Sequence, residues 1–257
     1  MKTIRLFALL ALSACSLGTA PDVPEGALKV LFIGNSLTYF NDLPRTVAQL
    51  ASSAGAQQCY CYPIAYPDFA LEDHYDFRQA VTALEEEDWD FVVMQQGPSA
   101  LAASKVDLIT WATVFDEMID ENGATPIMYG VWPQDDRLFD FPNVADSYRS
   151  AAIAIDGLFA PAGEAWQKAW ERDSTLPLYG PDGFHPSEMG TYLAALVVFQ
   201  RIYSRSPEGV QATALVDGRV QPWNLALVQL LQAAAADANE AEDARPPTSS
   251  FSRLRPR

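Results

Sequence analysis

The chain is expected to fold as an α/β domain whose mostly parallel sheet is covered by helices on both sides. Three observations predict this. Short apolar runs without polar alternation recur along the chain, as at Leu28-Lys29-Val30-Leu31-Phe32-Ile33 and Phe91-Val92-Val93-Met94. Stretches of helical period separate those runs. At 257 residues and 49% hydrophobic, the chain can bury one full core. Continuous apolar runs suit strands buried on both faces. Strands alternating with helices imply crossover connections within one sheet.

The elements follow in order. Residues 28–33 read as the first buried strand. Residues 42–54 read as a helix, ended by Gly55. Residues 59–65 form the second strand. Residues 71–87 read as one helix whose acidic end is a solvated face. Residues 91–94 give the third strand, and 105–122 a long helix closed by Gly123. Residues 125–131 are the fourth strand. A helix over 144–156 precedes a short fifth strand at 158–160. Helices over 164–172, 187–203 and 223–238 complete the domain, set at 27–239. In parallel sheets, sites form at the carboxyl ends of strands. Ser36, Asp68, Gln95, Gln96 and Trp132 all lie just past strands, so the fold would gather them on one edge.

The first 14 residues read as a targeting segment. Lys2 and Arg5 precede a short apolar stretch over 6–12, and Leu12-Ser13-Ala14-Cys15 supplies small residues at a cleavage point. The stretch is too short to span a bilayer as a helix. The segment resembles a bacterial lipoprotein signal, in which Cys15 is lipidated and begins the mature chain. Ordinary secretion with cleavage nearby is the alternative. Residues 15–26, with Gly18, Pro21, Pro24 and Gly26, read as a tether. The expected address is the cell envelope: a membrane-anchored lipoprotein facing the periplasm or the exterior. Ser16 carries no retention signal, which favours an outer membrane where a cell has two.

Loss of Lys2 and Arg5 takes the net charge from −16 to −18. That balance argues against a nucleic-acid partner, since phosphate is repelled. Residues 240–257 carry Pro246, Pro247 and four arginines and read as a disordered basic tail. The alternative use is contact with anionic lipid or polymer.

Cys59 and Cys61 remain in the mature chain. An extracytoplasmic address permits a disulfide. Two residues apart on a strand they share a face, and bridging is expected to strain the backbone. Free buried thiols are the expected state. The pair is a poor metal signal without further ligands.

The chemistry rests on two motifs. Gly34-Asn35-Ser36-Leu37-Thr38 follows the first strand. Gly34 allows a sharp turn, and Ser36 would then sit at a helix start, near free N–H groups suited to an oxyanion. The ordinary alternative is a strand-to-helix cap. The motif is not a Gly-x-Ser-x-Gly elbow, because Thr38 replaces the second glycine. The second motif is Asp182-Gly183-Phe184-His185-Pro186. Its spacing lets Asp182 accept the imidazole Nδ1–H and leave Nε2 for a serine. A structural turn or a fragment of a metal site is the alternative. The chain has two histidines. His74, at a helix start, reads as structural rather than catalytic. Trp132 either stacks on a sugar as a substrate-binding residue or packs in the core or at its rim.

With both motifs in order, the chain resembles the SGNH, or GDSL-type, serine hydrolases over about residues 27–204. Gly34-Asn35-Ser36 looks like the variant with asparagine in place of aspartate. Asp182 to Pro186 looks like the final block of that family, and Pro161-Ala162-Gly163-Glu164-Ala165-Trp166 like a segment upstream of it. The resemblance implies a flavodoxin-like three-layer α/β/α sandwich and an esterase or deacylase with no cofactor and no metal. It implies Ser36 as nucleophile, His185 as base and Asp182 as its orienting acid. Further oxyanion donors are usually a glycine N–H and an asparagine amide. Here Pro67-Asp68-Phe69-Ala70-Leu71 and Gln95-Gln96-Gly97-Pro98-Ser99 stand in those places. The resemblance therefore implies an oxyanion hole from the Ser36 N–H, a backbone N–H near Asp68 or Phe69, and a glutamine amide. Gln96 is favoured over Gln95, with Ser99 as a third candidate, because neighbouring strand residues face opposite sides. The implied partner is a small-molecule or glycan ester, with an O-acetyl group on carbohydrate preferred. A lipid ester, as for a lysophospholipase or thioesterase, and a non-catalytic binding lipoprotein are the other readings.

Overall fold

The computed structural model describes residues 23–211 and 213–246. Cys15 and most of the basic tail lie outside them. Five parallel strands form the central sheet: β1 (Leu28–Gly34), β2 (Cys59–Ala65), β3 (Phe91–Met94), β4 (Thr125–Gly130) and β5 (Leu158–Pro161). Their order is β2-β1-β3-β4-β5, the flavodoxin-like order. The fold is the three-layer α/β/α sandwich that the sequence predicts.

The apolar runs sit where two-sided burial demands them. Val30, Leu31, Phe32 and Ile33 of β1 are inaccessible, as are Val92 and Met94 of β3 and Ile127 and Met128 of β4. The first helical segment is one turn, α1 (Ser36–Tyr39), followed by a 3-10 turn (Phe40–Asp42) and α2 (Leu43–Ser53). The expected helix over 71–87 is two helices, α3 (Leu71–Phe77) and α4 (Gln79–Glu86). Arg78, in left-handed backbone at φ 66°, separates them. Its side chain gives no glycine-like warning, so periodicity ran through the break. Then come α5 (Ala102–Asn122), α6 (Phe141–Ala154), α7 (Ala162–Arg172) and α8 (Glu188–Tyr203). A small hairpin, β6 (Leu215–Val216) and β7 (Arg219–Val220), precedes α9 (Leu225–Asp243). The last helix outruns its expected end at residue 238.

Cys59 and Cys61 are joined as a disulfide, which corrects the expectation of free thiols. Both lie on one face of β2, an edge strand, and their Cα atoms are 5.4 Å apart. That separation falls inside the range a disulfide spans. An edge strand can adjust locally in a way a central strand cannot.

No helix among the described residues is long and apolar enough to cross a membrane.

Candidate active site

Ser36 opens α1 at the carboxyl end of β1. Asn35 is the N-cap, its Oδ1 accepting the Leu37 N–H at 3.1 Å. Gly34 is required by packing: a Cβ there would overlap the side-chain oxygens of Thr38 and Gln95. Ser36 itself is buried, 6% exposed. Among the described residues its N–H has no protein acceptor, as expected for the first amide of a helix.

The second motif is a tight, heavily bonded loop. Gly183 adopts φ 68°, and any side chain there would strike the Asp135 carboxyl group. Asp182 Oδ1 accepts the N–H groups of Phe184 (3.0 Å) and His185 (2.9 Å). Asp182 Oδ2 lies 2.5 Å from His185 Nδ1. The hydrogen bond to His185, then that from the Phe184 N–H, holds the Asp182 carboxyl at about 2. With Nδ1 turned to the Asp182 carboxylate, Nε2 is the ring nitrogen left available to a serine.

Several elements aim this loop at α1. The Phe40 ring stacks on the His185 ring, centroids 4.2 Å apart. Asn41, in left-handed backbone at φ 51°, donates Nδ2 to the Pro186 carbonyl at 3.0 Å. From the segment after β4, Trp132 Nε1 donates to the Phe184 carbonyl at 3.0 Å, and the Asp135 N–H to the Gly183 carbonyl at 2.8 Å. The base is thus tied to both the serine helix and the end of β4. Ser36 and His185 do not share a hydrogen bond in this structure. Catalytic hydrogen bonds are often loose without substrate and tighten on binding.

The other expected site residues are placed differently. Trp132 is fully buried and stacks on Trp166 at 3.7 Å, so it is core and cannot stack on a sugar. The apolar environment past β4 outweighed its position on the site edge. Gln96 turns toward the α3 and α5 helices. Its Nε2 donates to Ser99 Oγ at 3.1 Å and Asp107 Oδ2 at 3.2 Å, and its Oε1 accepts the Leu71 N–H. Gln95 Nε2 donates to Asn35 Oδ1 and to the Gln96 carbonyl. With two hydrogens each, both amides are fully engaged, which revises their expected role as oxyanion donors. Ser99 Oγ is likewise taken up by Gln96 and the Gly97 carbonyl.

The turn after β2 shows a similar change. The Phe69 N–H, the donor expected there, closes a turn onto the Tyr66 carbonyl at 3.4 Å. The Ala70 N–H meets Asp73 and the Leu71 N–H meets Gln96. Asp68 has φ 61°, the backbone that glycine favours. Its N–H alone of these four has no protein acceptor among the described residues. Asp68 therefore holds a backbone that glycine would adopt freely, with its N–H left for a ligand.

His74 lies beneath the serine turn, 1% exposed. Its ring Nε2 is 2.8 Å from the Gly34 carbonyl and donates to it. Its Nδ1 is buried without a partner among the described residues, and burial lowers the proton affinity of the ring. This is the structural use the sequence suggests. Among the described residues no cluster of three or more metal-binding side chains occurs. Sequence reasoning missed Phe40, Asn41 and Asp135. Only Asn41-Asp42 carried a signal, since both residue types tolerate left-handed backbone.

No protein-family model and no curated protein matches the sequence. Solved structures do match. A candidate SGNH hydrolase from Slackia heliotrinireducens is 29% identical, with TM-score 0.58, covering 68% of this chain and 99% of that one. A DUF4886 family protein from Bacteroides uniformis has TM-score 0.69 at 19% identity, covering 86% and 98%. An acetylxylan esterase from Geobacillus stearothermophilus, solved as a catalytic mutant, has TM-score 0.51 at 17% identity, covering 69% and 95%. The last two likenesses speak to fold. In fold and in the order of its two motifs, the chain is similar to SGNH-type hydrolases.

Proposed function

We propose that this protein is a serine esterase working through an acyl-enzyme. The carrying observation is the Asp182–His185 pair, 2.5 Å apart, whose ring rests on Phe40 at the end of the Ser36 helix. Ser36 Oγ attacks the ester carbonyl while His185 Nε2 takes its proton. Asp182 keeps the ring oriented and offsets the charge of the imidazolium. The Ser36 and Asp68 N–H groups hold the developing oxyanion. Collapse expels the alcohol, which receives the proton from Nε2. Water then repeats the sequence on the acyl-enzyme and releases the acid.

The preferred substrate is a short acyl ester, an O-acetyl group on carbohydrate. Its support is the surface address expected from the sequence and the likeness to an acetylxylan esterase fold. A lipid ester is favoured by a different observation: the exposed Leu101 lines a cavity of about 270 Å³ together with Phe184, and Leu138 and Phe139, between its lining residues Arg137 and Asp140, are also exposed. The lipid anchor on Cys15, outside the described residues, would hold the enzyme at the envelope.

The test is hydrolysis of p-nitrophenyl esters from acetate to long acyl chains by residues 16–257, with acetate release from acetylated xylan alongside. Activity concentrated on acetate supports the glycan reading. A long-chain preference replaces it with the lipid reading. No hydrolysis of any ester favours the binding-protein reading.

A further inference from the structure

We propose that Gln95 is a positioning residue that sets the geometry of Ser36 through Asn35. The inference rests on the esterase reading above. Gln95 stands just past β3, between β1 and β4 in the sheet, and is inaccessible to solvent. Its amide makes four hydrogen bonds. Oε1 accepts the Asn35 N–H at 3.0 Å and the Thr38 hydroxyl at 2.8 Å. Nε2 donates to Asn35 Oδ1 at 2.9 Å and to the Gln96 carbonyl.

Two of these bonds form a reciprocal pair with one residue. Asn35 gives its backbone N–H to the Gln95 oxygen and takes a hydrogen from the Gln95 nitrogen. That pairing fixes both the backbone and the side chain of the residue immediately before Ser36. The same Asn35 Oδ1 caps Leu37, so its direction sets the first turn of α1. Asn35 Nδ2 reaches the Phe69 carbonyl at 3.1 Å, which anchors the turn carrying Asp68. One buried amide therefore sets the serine and both backbone N–H groups assigned to the oxyanion. Thr38, the residue that breaks the glycine elbow, is the fourth point of the clasp. Gly34 is the residue whose lack of a side chain lets Gln95 approach.

An oxyanion donor must hold a hydrogen free for substrate. Gln95 holds none, since both amide hydrogens are bonded, and turning one outward would break its bond to Asn35 Oδ1 or to the Gln96 carbonyl. A positioning group needs the opposite, every bond made. Small displacements of a reacting group are expensive in rate, about 10²-fold for roughly 1 Å.

The test uses Gln95→Glu and Gln95→Leu, alone and combined with Asn35→Ala, on p-nitrophenyl acetate. Gln95→Glu keeps the size but loses the donor to Asn35. The expected result is kcat lower by roughly 10- to 100-fold with KM within about twofold. In the Asn35→Ala background, Gln95→Glu should cost less than about threefold more, since the side-chain bond it removes is already cut while the backbone N–H of position 35 still reaches Oε1. A full further loss of about 10²–10³ in that background would make Gln95 an independent oxyanion donor and overturn the proposal. Unchanged kcat in both Gln95 variants would overturn it too. If neither variant melts cooperatively, Thr38→Val, which removes one bond of the four, should lower kcat by about threefold at constant KM; unchanged kcat there counts against the clasp. A parent protein inactive on every ester defeats the esterase reading and this role with it. An active parent with unaffected variants defeats this role alone.

Discussion

The Phe40 ring lies nearly flat on the His185 ring, with centroids 4.2 Å and planes 16° apart. Phe40 closes the one-turn helix that Ser36 opens, its N–H bonding the Ser36 carbonyl. The contact links nucleophile and base, which lie far apart in the sequence. Phe40→Ala should lower kcat about 10-fold, with KM and Tm little changed, because the ring is already 38% exposed. Phe40→Tyr should retain activity. Steady-state kinetics of the two variants check this.

Asp182 is expected to act by orientation and charge. Asp182→Asn should leave the fold intact and reduce kcat by about 10³–10⁴. The sign of its pH effect follows from a carboxyl held at about 2. A lowered folded value stabilises above the ordinary carboxylate range and is lost only as pH falls through about 2. Protonation of Asp182 therefore does not produce an activity loss between about pH 7 and 4. A pH profile of kcat/KM on the parent and the variant checks both points.

His74 makes the opposite kind of prediction, one about stability. Burial lowers its proton affinity in the folded state. The unfolded chain binds the proton more readily, so stability is complete above about pH 6.5 and declines as pH falls below it. His74→Asn removes the titrating ring. Its Tm should be lower at pH 8, yet fall less than the parent's on going to about pH 5. Thermal melts at several pH values read this directly.

The sheet was legible in the sequence because its strands are buried on both faces, which leaves continuous apolar runs at 28–33, 91–94 and 125–131. The acid–base loop was legible because Asp182 and His185 are close in sequence, and local spacing dictates their contact. What was hidden depends on direction. Trp132 stands at the expected edge but points inward onto Trp166. Gln95 and Gln96 stand at the expected strand end, but their amides pair with Asn35, Ser99 and Asp107, from 3 to 60 residues away. Asp68 hid because a left-handed turn normally announces itself with glycine. Such outcomes depend on which polar groups remain unpaired after folding.

The Trp132 finding yields its own test. Trp132→Phe keeps an aromatic ring against Trp166 but loses the donor to the Phe184 carbonyl. It should lower kcat several-fold and stability by about 1 kcal/mol. A sugar platform would instead raise KM on glycan substrates while sparing p-nitrophenyl acetate.

The disulfide closes a very short segment of chain, so its stabilisation should be small. Cys59→Ser with Cys61→Ser should cost no more than about 2 kcal/mol and leave activity unchanged. Thiol alkylation followed by peptide mass analysis should find both cysteines blocked in the untreated protein.

The central claim is that Ser36 becomes covalently acylated with His185 as its base. The most direct measurement is mass analysis of the protein after reaction with a fluorophosphonate, on the parent, Ser36→Ala and His185→Ala. One adduct on the Ser36 peptide is expected, absent in Ser36→Ala and slowed by about 10³-fold or more in His185→Ala. An adduct on another residue, or equal labelling of the His185→Ala variant, would contradict the account.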